Sequence, residues 1–400
     1  ASDTADQSVA IGKGALGTGT TTGNDNIALG FNAMTGATSG ANNVAIGSNA
    51  GGAVTTATTG VFIGQNVAAA LTTGIENVFV GNNAAVAMTT GQQNIAIGDN
   101  ALASQTTVHG NVAVGDNALW ANTSGTGNCA MGTASQNGTT TGSYNAAFGS
   151  NALDANTTGS NNVAVGIEAL TDNTTGANNT AVGYAALADN TTATNNTTVG
   201  YYSLRAVTTG TTNAALGGNA GQAVTTGSEV CHIGQNAGTS PTTGNGTTCI
   251  GYNANSTSAT VNHEMTLGNA NLGTLRCQQT SISALSDERD KADIADLPAE
   301  AGLEFINKLK PRTFYWDMRE WYDDGVSDRS KMKTSHRSWK PNSGQRMGFI
   351  SQEVQSAIEG LKYMEDSKVV SGTPEKLEFA PAHLITPLIK AVQQLSEEVE

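Results

Sequence analysis

Small and apolar residues recur along the chain at a fixed spacing. Sixteen glycines, each preceded by an aliphatic residue, Met or Phe, are separated by one interval of 18 residues and then fourteen intervals of 17. A period in this range is typical of a solenoid, in which a short unit stacks on copies of itself because it cannot bury its apolar face by itself. The glycines are Gly12, Gly30, Gly47, Gly64, Gly81, Gly98, Gly115, Gly132, Gly149, Gly166, Gly183, Gly200, Gly217, Gly234, Gly251 and Gly268.

Each repeat contains a short segment with the pattern of a β-strand. The residue before the glycine is always apolar, the residue three before it is usually Val, Ile, Ala, Cys or Thr, and the residue between them is mostly Ala. Successive side chains of a strand point to opposite faces, so both faces of this segment are largely apolar. We therefore expect a strand that is buried on both faces, as in a stacked parallel β structure.

The second half of the repeat often ends in Thr-Thr-Gly, which is a turn signal because glycine adopts positive φ without steric cost. The many Gly, Thr and Asn residues oppose a helix. Each repeat is therefore predicted to be one coil of a parallel β-helix or β-roll. About sixteen coils at roughly 4.8 Å per strand give a rod roughly 75 Å long.

Asparagine recurs at two positions of the repeat, two residues after the glycine and four residues before it. Stacked amides at one position of successive coils can hydrogen-bond along a rod, so we interpret both columns as structural ladders rather than ligand sites. The first column includes Asn49, Asn66, Asn83, Asn100, Asn117 and Asn151, and the second Asn43, Asn77, Asn94, Asn111, Asn162 and Asn179.

Composition divides the chain into two parts. Residues 1–280 contain three basic residues and twelve acidic ones, for a net charge of −9, and the other 120 residues carry −5. A weakly charged acidic rod is a poor nucleic-acid binder. No run of about 18 apolar residues predicts a membrane span. The chain begins at Ala1 without a signal sequence, so we read it as a mature product or an excerpt.

The cysteines and histidines predict neither a metal site nor a cofactor site. None of the four cysteines has zinc-like spacing, and Cys231 and Cys249 fall on opposite strand faces, which argues against a disulfide between adjacent coils. We interpret Cys129, Cys231 and Cys249 as small core residues. The histidines are interpreted as fully hydrogen-bonded structural residues for lack of a second ligand at metal spacing: His109, His232 and His263.

The period stops after Gly268, and the residues that follow differ in character. Three of the four tryptophans and most of the charged residues lie in the last 120 residues. The sequence predicts a β-solenoid rod over residues 1–268, a connector over 269–285 and a small α+β domain over 286–400. Within that domain, the segment 302–309 is predicted to be an amphipathic helix.

Three motifs in this last region resemble a known family. They are Ser-Asp-Glu-Arg-Asp-Lys at 286–291, Lys-Pro-Arg-Thr-Phe-Tyr-Trp at 310–316, and Gly-Phe-Ile-Ser-Gln-Glu-Val at 348–354. Together with a terminal helix they resemble the self-cleaving intramolecular chaperone domain, peptidase S74-like, at the C-termini of phage tail spikes, tail fibres and endosialidases. The resemblance spans about residues 286–400 and implies a homotrimer.

The resemblance also implies an autoproteolysis site with Ser286 as nucleophile, Lys291 as its base and Ser286–Asp287 as the scissile bond. A lysine whose pKa is lowered by burial can deprotonate a hydroxyl, and the only enzyme activity implied is one self-cleavage. Attack by Ser286 on its own carbonyl would close a strained four-membered ring, so the hydroxyl would need another geometry or another chain. The residues themselves leave open a second interpretation, a helix N-cap with a charged first turn.

The end of the chain carries an apolar 3-4-3-4 spacing, which is typical of the a and d positions of a coiled coil. It predicts a helix over residues 384–400, and in the homotrimer that the family resemblance implies, this helix would pack against two further copies of the chain. No catalytic role is assigned to residues 348–354. The heptad residues are Ile385, Leu388, Val392, Leu395 and Val399.

The rod resembles the β-roll heads of trimeric autotransporter adhesins, whose N-x-V-A-I-G motif is similar to residues 42–47, although their repeat is shorter. Both resemblances imply a homotrimeric extracellular fibre. The first hypothesis is a phage tail fibre on the virion that binds a host-surface receptor, with a glycan as the candidate receptor class, and contacts other tail proteins. The alternative is a secreted bacterial trimeric adhesin or extracellular filament.

An enzyme acting on surface glycan has little support, because the acids of the rod are scattered and no pair recurs in a pocket-like context. Four tyrosines one or two residues after repeat glycines are candidates for stacking on sugars: Tyr184, Tyr201, Tyr202 and Tyr252.

Overall fold

The computed structural model describes residues 7–17, 21–272, 296–314, 346–359, 361, 369–373, 376–379 and 381–399. The chain divides into two compact units, Ala1–Arg276 and Cys277–Glu400.

The first unit is a β-solenoid with one three-residue strand per coil. Its sixteen strands pair in chain order in a single parallel sheet, and the rest of each coil consists of turns. Each strand is in register with the same repeat position of the next, as Val163 is with Thr180. The predicted parallel solenoid is confirmed. The strands are β1 (Val9–Ile11), β2 (Ile27–Leu29), β3 (Val44–Ile46), β4 (Val61–Ile63), β5 (Val78–Val80), β6 (Ile95–Ile97), β7 (Val112–Val114), β8 (Cys129–Met131), β9 (Ala146–Phe148), β10 (Val163–Val165), β11 (Thr180–Val182), β12 (Thr197–Val199), β13 (Ala214–Leu216), β14 (Cys231–Ile233), β15 (Thr248–Ile250) and β16 (Met265–Leu267).

The glycine after each strand satisfies two constraints. At Gly166 the backbone has φ 133°, a conformation that side-chain-bearing residues rarely adopt. A Cβ at Gly166 would also overlap the carbonyl of Gly183 in the next coil. The repeat therefore needs glycine here both to turn the chain and to let successive coils approach.

The glycine of Thr-Thr-Gly has a different role from the predicted one. Gly142 and Gly159 are outside the positive-φ region, so the expectation of positive φ is wrong at these positions. Their constraint is close approach, because a Cβ at Gly142 would overlap the carbonyl of Gly159. The threonines before them tie coils together, since the Thr140 hydroxyl donates to the Thr157 carbonyl at 3.0 Å.

Side-chain volumes balance inside the coils. The middle residue of each strand points inward and is usually Ala, as at Ala96 and Ala164, and the fourth residue after the glycine is then commonly a buried Leu, as at Leu102 and Leu170. In the two coils with Phe62 and Phe79, whose rings lie 5.9 Å apart, that fourth residue is Ala68 or Ala85. A large residue in the strand is thus matched by a small one across the coil, which keeps the interior close-packed.

His232 is the polar counterpart of these phenylalanines. Its ring is fully buried, and a Cβ at Gly238, the fourth residue after the glycine of the same coil, would overlap it. The Nε2 atom lies 3.2 Å from the Thr247 hydroxyl. Burial lowers the pKa of His232 from its ordinary value to about 4, so the histidine is neutral in the fold at pH 7. The prediction of a fully hydrogen-bonded histidine is wrong at Nδ1, which is buried without a hydrogen-bond partner among the described residues.

The asparagine column four residues before the glycine forms the predicted ladder. The Oδ1 atom of Asn162 accepts the backbone N–H of Asn179 at 3.0 Å and its side-chain N–H at 3.2 Å. The Nδ2 atom of Asn162 donates to the carbonyl of Gly176 at 2.8 Å, and its backbone N–H donates to Asn145 Oδ1 at 3.0 Å. The side chain of Asn162 therefore links its coil to the next one, and its backbone N–H is in turn held by the asparagine of the preceding coil.

The second asparagine column is also a ladder, but a weaker one. Asn49 Nδ2 donates to Asn66 Oδ1 at 3.0 Å, and Asn66 Nδ2 donates to Asn83 Oδ1 at 3.4 Å. These residues have φ between 51° and 58°, a left-handed conformation that Asn tolerates better than most residues. Asn therefore suits this position for two reasons: it tolerates the left-handed backbone of the turn, and its amide hydrogen-bonds to the asparagine of the next coil.

The expectation that both strand faces are buried is wrong for the single chain. The inward residue, such as Ala164, has no exposed surface, whereas the residues on either side of it lie on an outer face and are partly exposed. Cys129 and Cys231 occupy this outer face and are half-buried, so the interpretation of these two as core residues is also wrong. The Cys249 thiol is in the core, and burial raises its pKa to about 11.

The second unit is a small α+β assembly. Its core contains Phe305 and Val354, both buried, and the segment predicted as an amphipathic helix forms α1. The predicted terminal helix is confirmed as α3. The elements are a 3-10 turn (Ala299–Ala301), α1 (Leu303–Lys308), β17 (Arg312–Phe314) antiparallel to β18 (Arg346–Gly348), α2 (Ser351–Ile358), β19 (Val370–Thr373) antiparallel to β20 (Lys376–Phe379), a 3-10 turn (Pro381–Leu384) and α3 (Ile385–Val399).

The substitution Asn162→Ala is expected to destabilise the rod by about 2–4 kcal/mol, because it leaves the buried backbone N–H of Asn179 without a partner and removes two further buried hydrogen bonds, from Asn179 Nδ2 and to the Gly176 carbonyl. Asn82→Ala is the matched control: its amide is exposed and donates one hydrogen bond, to Asp99 at 3.2 Å, so the change should cost less than about 0.5 kcal/mol. Chemical denaturation followed by far-UV circular dichroism measures both. Equal effects of the two substitutions would contradict the ladder as a main source of stability.

The buried His232 predicts that the rod loses stability in mild acid. Unfolding restores the ordinary pKa of about 6.5, so the unfolded chain binds a proton before the folded chain does. Stability should be full above pH 6.5 and fall by up to about 3 kcal/mol as the pH drops to about 4. His232→Phe should reduce this decline, whereas His109→Gln, at an exposed histidine, should keep it. Parallel pH profiles for wild type and His232→Phe would refute the assignment.

Candidate functional site

The outer face of the sheet is a continuous apolar surface. It consists of the first and third residues of strands β1 to β16, which we call the outer stripe. Of these 32 residues, 29 are aliphatic, Met, Phe or Cys, three are Thr and none is charged. The charged residues of the rod therefore all lie at other positions of the repeat.

The outer stripe is open to solvent in the single chain. Ile63, Val199 and Met131 are between 37 and 42% exposed, and Leu216 is 52% exposed. Over sixteen coils such exposures sum to an apolar surface on the order of 1,000 Å², whereas the largest patch on a monomeric protein is typically about 300–600 Å². An uninterrupted surface of this size indicates an interface with another protein chain.

Helix α3 carries another exposed apolar surface, separate from the outer stripe. The five heptad residues Ile385, Leu388, Val392, Leu395 and Val399 are all between 47 and 86% exposed, so no described part of the chain covers the predicted seam. The opposite face of the helix faces the unit, because Pro387 and Ala391 are buried. The helix thus has one face packed within its own unit and one face left open.

Gln394 fixes α3 to α1. Its Oε1 atom accepts the backbone N–H of Leu303 at 2.6 Å, and its Nε2 atom donates to the carbonyl of Ala299 at 3.0 Å. The side chain therefore satisfies an otherwise unpaired donor at the N-terminus of α1. Sequence reasoning did not identify this residue, because nothing in its local pattern distinguishes it from the neighbouring Gln393.

An ion pair links the second and third motifs of the C-terminal unit. The Arg312 guanidinium donates to Glu353 through two hydrogen bonds, from Nε at 2.9 Å and from the terminal nitrogen at 2.6 Å. This pairing holds the pKa of Glu353 below its ordinary value. Because both groups are exposed, we interpret the pair as a fixed link between β17 and the first turn of α2 rather than as a catalytic site.

The residues assigned to self-cleavage, Ser286, Asp287 and Lys291, lie outside the residues that the structure describes. Among the described residues, no group of three His, Cys, Asp or Glu side chains could hold a metal ion. In the same part of the chain, no helix is long and apolar enough to cross a membrane.

The four candidate tyrosines are not equivalent. Tyr184, Tyr201 and Tyr202 are in mutual contact, with ring centroids between 4.0 and 5.5 Å apart. Tyr252 follows Gly251, three repeats further along the rod. The 17-residue period brings Tyr184 and Tyr201 to the same position of adjacent coils, so the sequence contained the signal for this cluster.

Comparison with known protein families agrees with the resemblance seen in the motifs. Residues 286–362 match the model of the Peptidase_S74 family, described as chaperone of endosialidase. The match begins at Ser286, the first residue of the first motif, and includes α1, α2 and the Arg312–Glu353 pair. No curated protein and no solved structure matches the chain. The chain therefore consists of a parallel β-solenoid followed by a C-terminal Peptidase_S74, or chaperone-of-endosialidase, domain.

Proposed function

We propose that the chain is one subunit of a homotrimeric phage tail fibre, located on the virion, in which the solenoid is the shaft and the C-terminal domain is the assembly chaperone. The observation that carries the proposal is the outer stripe, because it is apolar in every coil and exposed in the single chain. Three parallel rods that share a three-fold axis would bury these stripes against one another. Apolar burial at about 25 cal/mol per Å² would then stabilise the trimer along its whole length.

A rod of near-identical coils has a register problem. Two stripes can pair in register or displaced by one repeat of 17 residues, and the displaced pairing loses only the contacts of the end coils. A chaperone domain at one end removes this ambiguity, because it joins three chains at equivalent residues before the rods associate. The exposed heptad face of α3 is suited to that contact.

The C-terminal domain is also proposed to cut itself off after assembly, between Ser286 and Asp287, with Ser286 as nucleophile and Lys291 as its base. The basis is the six-residue motif at the first position of the family match. Loss of the chaperone would leave rods that cannot readily separate and reassociate, so the mature fibre would be kinetically stable.

The fibre is proposed to bind a receptor on the host surface and to attach to other tail proteins. A secreted bacterial trimeric adhesin or extracellular filament is the second candidate, favoured by the N-x-V-A-I-G form of the coil at residues 42–47. The two candidates share the trimeric rod and differ in the genes that surround them. Neighbouring tail and baseplate genes would support the first, and a secretion signal or membrane anchor in the full gene would support the second.

The stripe predicts that charge on the outer face disrupts assembly. The double substitution Val163→Glu and Val199→Glu places six carboxylates against the axis of a trimer, and burying an unpaired charge costs several kcal/mol per ion. Light scattering coupled to size exclusion should give a trimer for wild type and smaller or aggregated species for this variant.

The matched control for that experiment is Thr158→Glu with Thr192→Glu, which adds the same charge at exposed turn positions of the same coils or their neighbours. This control should remain trimeric. A monomeric wild type, or a stripe variant that forms trimers as stable as those of wild type, would contradict the proposed interface.

Self-cleavage predicts a defined change in mass. Denaturing mass spectrometry of the full chain should give two fragments separating between Ser286 and Asp287 in wild type and one intact chain in Ser286→Ala and in Lys291→Met. Ser283→Ala, three residues away, should be cut like wild type. An intact wild-type chain would exclude self-cleavage under those conditions and leave the domain as a permanent trimerisation module.

A further inference from the structure

The three clustered tyrosines form a surface that the fold itself does not need. Tyr184 and Tyr201 occupy the same position in adjacent coils, directly after the repeat glycine, and Tyr202 follows in the second of these coils. We call the three tyrosines together with Arg205 the tyrosine platform. At the position of Tyr184 and Tyr201 other coils have Ser48, Asp99 or Gly218, so no aromatic residue is required for stacking.

The rings of the platform are ordered against one another. Tyr184 and Tyr201 are stacked, with centroids 5.5 Å apart and planes inclined by 17°. Tyr202 tilts against both, at 5.4 Å from Tyr184 and 4.0 Å from Tyr201. The Arg205 guanidinium lies 4.8 Å from the centre of the Tyr202 ring, a cation–π contact. Two aromatic residues and one cation thus hold Tyr202 in place.

The platform remains open to solvent although its aromatic area could have been buried. Tyr201 is 52% exposed and Tyr184 is 39% exposed, whereas Phe62 and Phe79 are fully buried inside the coils. Tyr202 also has φ 53° at a position where other coils have Asn. A bulky residue is uncommon in this conformation. Stability of the rod does not explain a half-buried tyrosine in this conformation beside two exposed tyrosine rings, whereas a ligand that packs on the rings would.

Polar groups surround the rings. Asp189 lies 4.0 Å from Arg205, and the charge of Glu168 acts on the hydroxyl of Tyr184. The pKa values of Tyr184 and Tyr201 are raised, chiefly by a side-chain hydrogen bond with Tyr202. The hydroxyls therefore stay protonated at neutral pH. The platform and its surroundings combine apolar ring surface, hydroxyl donors and carboxylate acceptors within three adjacent coils.

We propose that the tyrosine platform binds neutral pyranose sugars of a cell-surface glycan. A pyranose ring has an apolar C–H surface that packs on an aromatic ring and a rim of hydroxyls that exchange hydrogen bonds with groups such as Tyr hydroxyls and carboxylates. The two carboxylates, Glu168 and Asp189, outnumber the single guanidinium of Arg205, so the local charge disfavours acidic sugars. The inference rests on the proposed attachment function and names the receptor class.

Binding at one platform should be weak, because it is shallow and offers few contacts. A trimer carries three copies, and simultaneous binding to a repeating polysaccharide multiplies the apparent affinity by about 10²–10⁴. The platform is thus suited to a polymer that covers a cell surface, where the same sugar recurs within reach of all three copies.

The test is titration of the full chain with maltoheptaose, cellohexaose and lacto-N-neotetraose as neutral probes and 3′-sialyllactose as the acidic probe, followed by saturation-transfer NMR. At least one neutral probe should bind wild type, and Tyr201→Ala should weaken it at least tenfold. Tyr252→Ala removes an exposed tyrosine from the same repeat position outside the cluster and should leave binding unchanged. Tyr201→Phe, which keeps the ring, should retain binding partly.

Several outcomes would overturn the proposal. They are the absence of binding to every neutral probe, an equal loss in Tyr252→Ala and Tyr201→Ala, and preferential binding of 3′-sialyllactose. Nitration of Tyr201 by tetranitromethane gives a further check. If Tyr201 is protected from nitration in the wild-type trimer but nitrated in Val163→Glu/Val199→Glu, a second copy of the chain covers the platform, and the proposal is overturned. Light scattering on the same samples separates the two proposals: a trimer that binds no probe refutes the platform and leaves the fibre.

Discussion

The rod depends on the buried asparagines that directly precede eleven of its sixteen strands. In a stacked coil the chain must leave the sheet and return within 17 residues, and the turn exposes backbone N–H and C=O groups to an interior without water. The Asn162 side chain accepts the backbone and side-chain N–H groups of Asn179 in the next coil and donates to the Gly176 carbonyl, and the backbone N–H of Asn162 donates to the side chain of Asn145 in the preceding coil, all at 2.8–3.2 Å. An unpaired buried group costs about 1–3 kcal/mol, so in the coils that have this asparagine its side chain decides whether the turns can be buried. The repeat glycines let the coils approach closely enough for these bonds to form.

The small interior of each coil explains why the outer stripe is exposed. A coil of 17 residues encloses room for an Ala in the strand and a Leu across from it, or for Phe62 with Ala68, and the volume is then filled. The other two side chains of each strand cannot enter the coil because alternate residues point outward. Since they are apolar in nearly every coil, the single rod leaves an apolar surface in contact with water, which the proposed association of rods would cover.

In the C-terminal unit, helix α3 likewise has one buried face and one exposed apolar face. Ala391 packs inside the unit and Gln394 holds α3 to the start of α1, while Leu388 and Val392 on the opposite face remain exposed. A helix fixed on one side and apolar on the other presents a preorganised surface, so three units would lose little conformational freedom when they associate. Rod and terminal unit thus each offer an unfilled apolar face to further copies.

The sequence by itself determined the architecture of this protein, because a 17-residue period, an invariant glycine and two asparagine columns admit one stacking. It also identified the Peptidase_S74 motif and the heptad of α3. Tertiary structure decided which face of each strand is covered, because the alternation of side chains separates two faces but does not say which one meets the coil interior. For this reason the sequence wrongly predicted that Cys129 and Cys231 lie in the core. Tertiary structure also decided the role of the Thr-Thr-Gly glycines, the partners of Gln394 and the contact of Tyr202 with Arg205. These depend on distances between residues that no local pattern encodes.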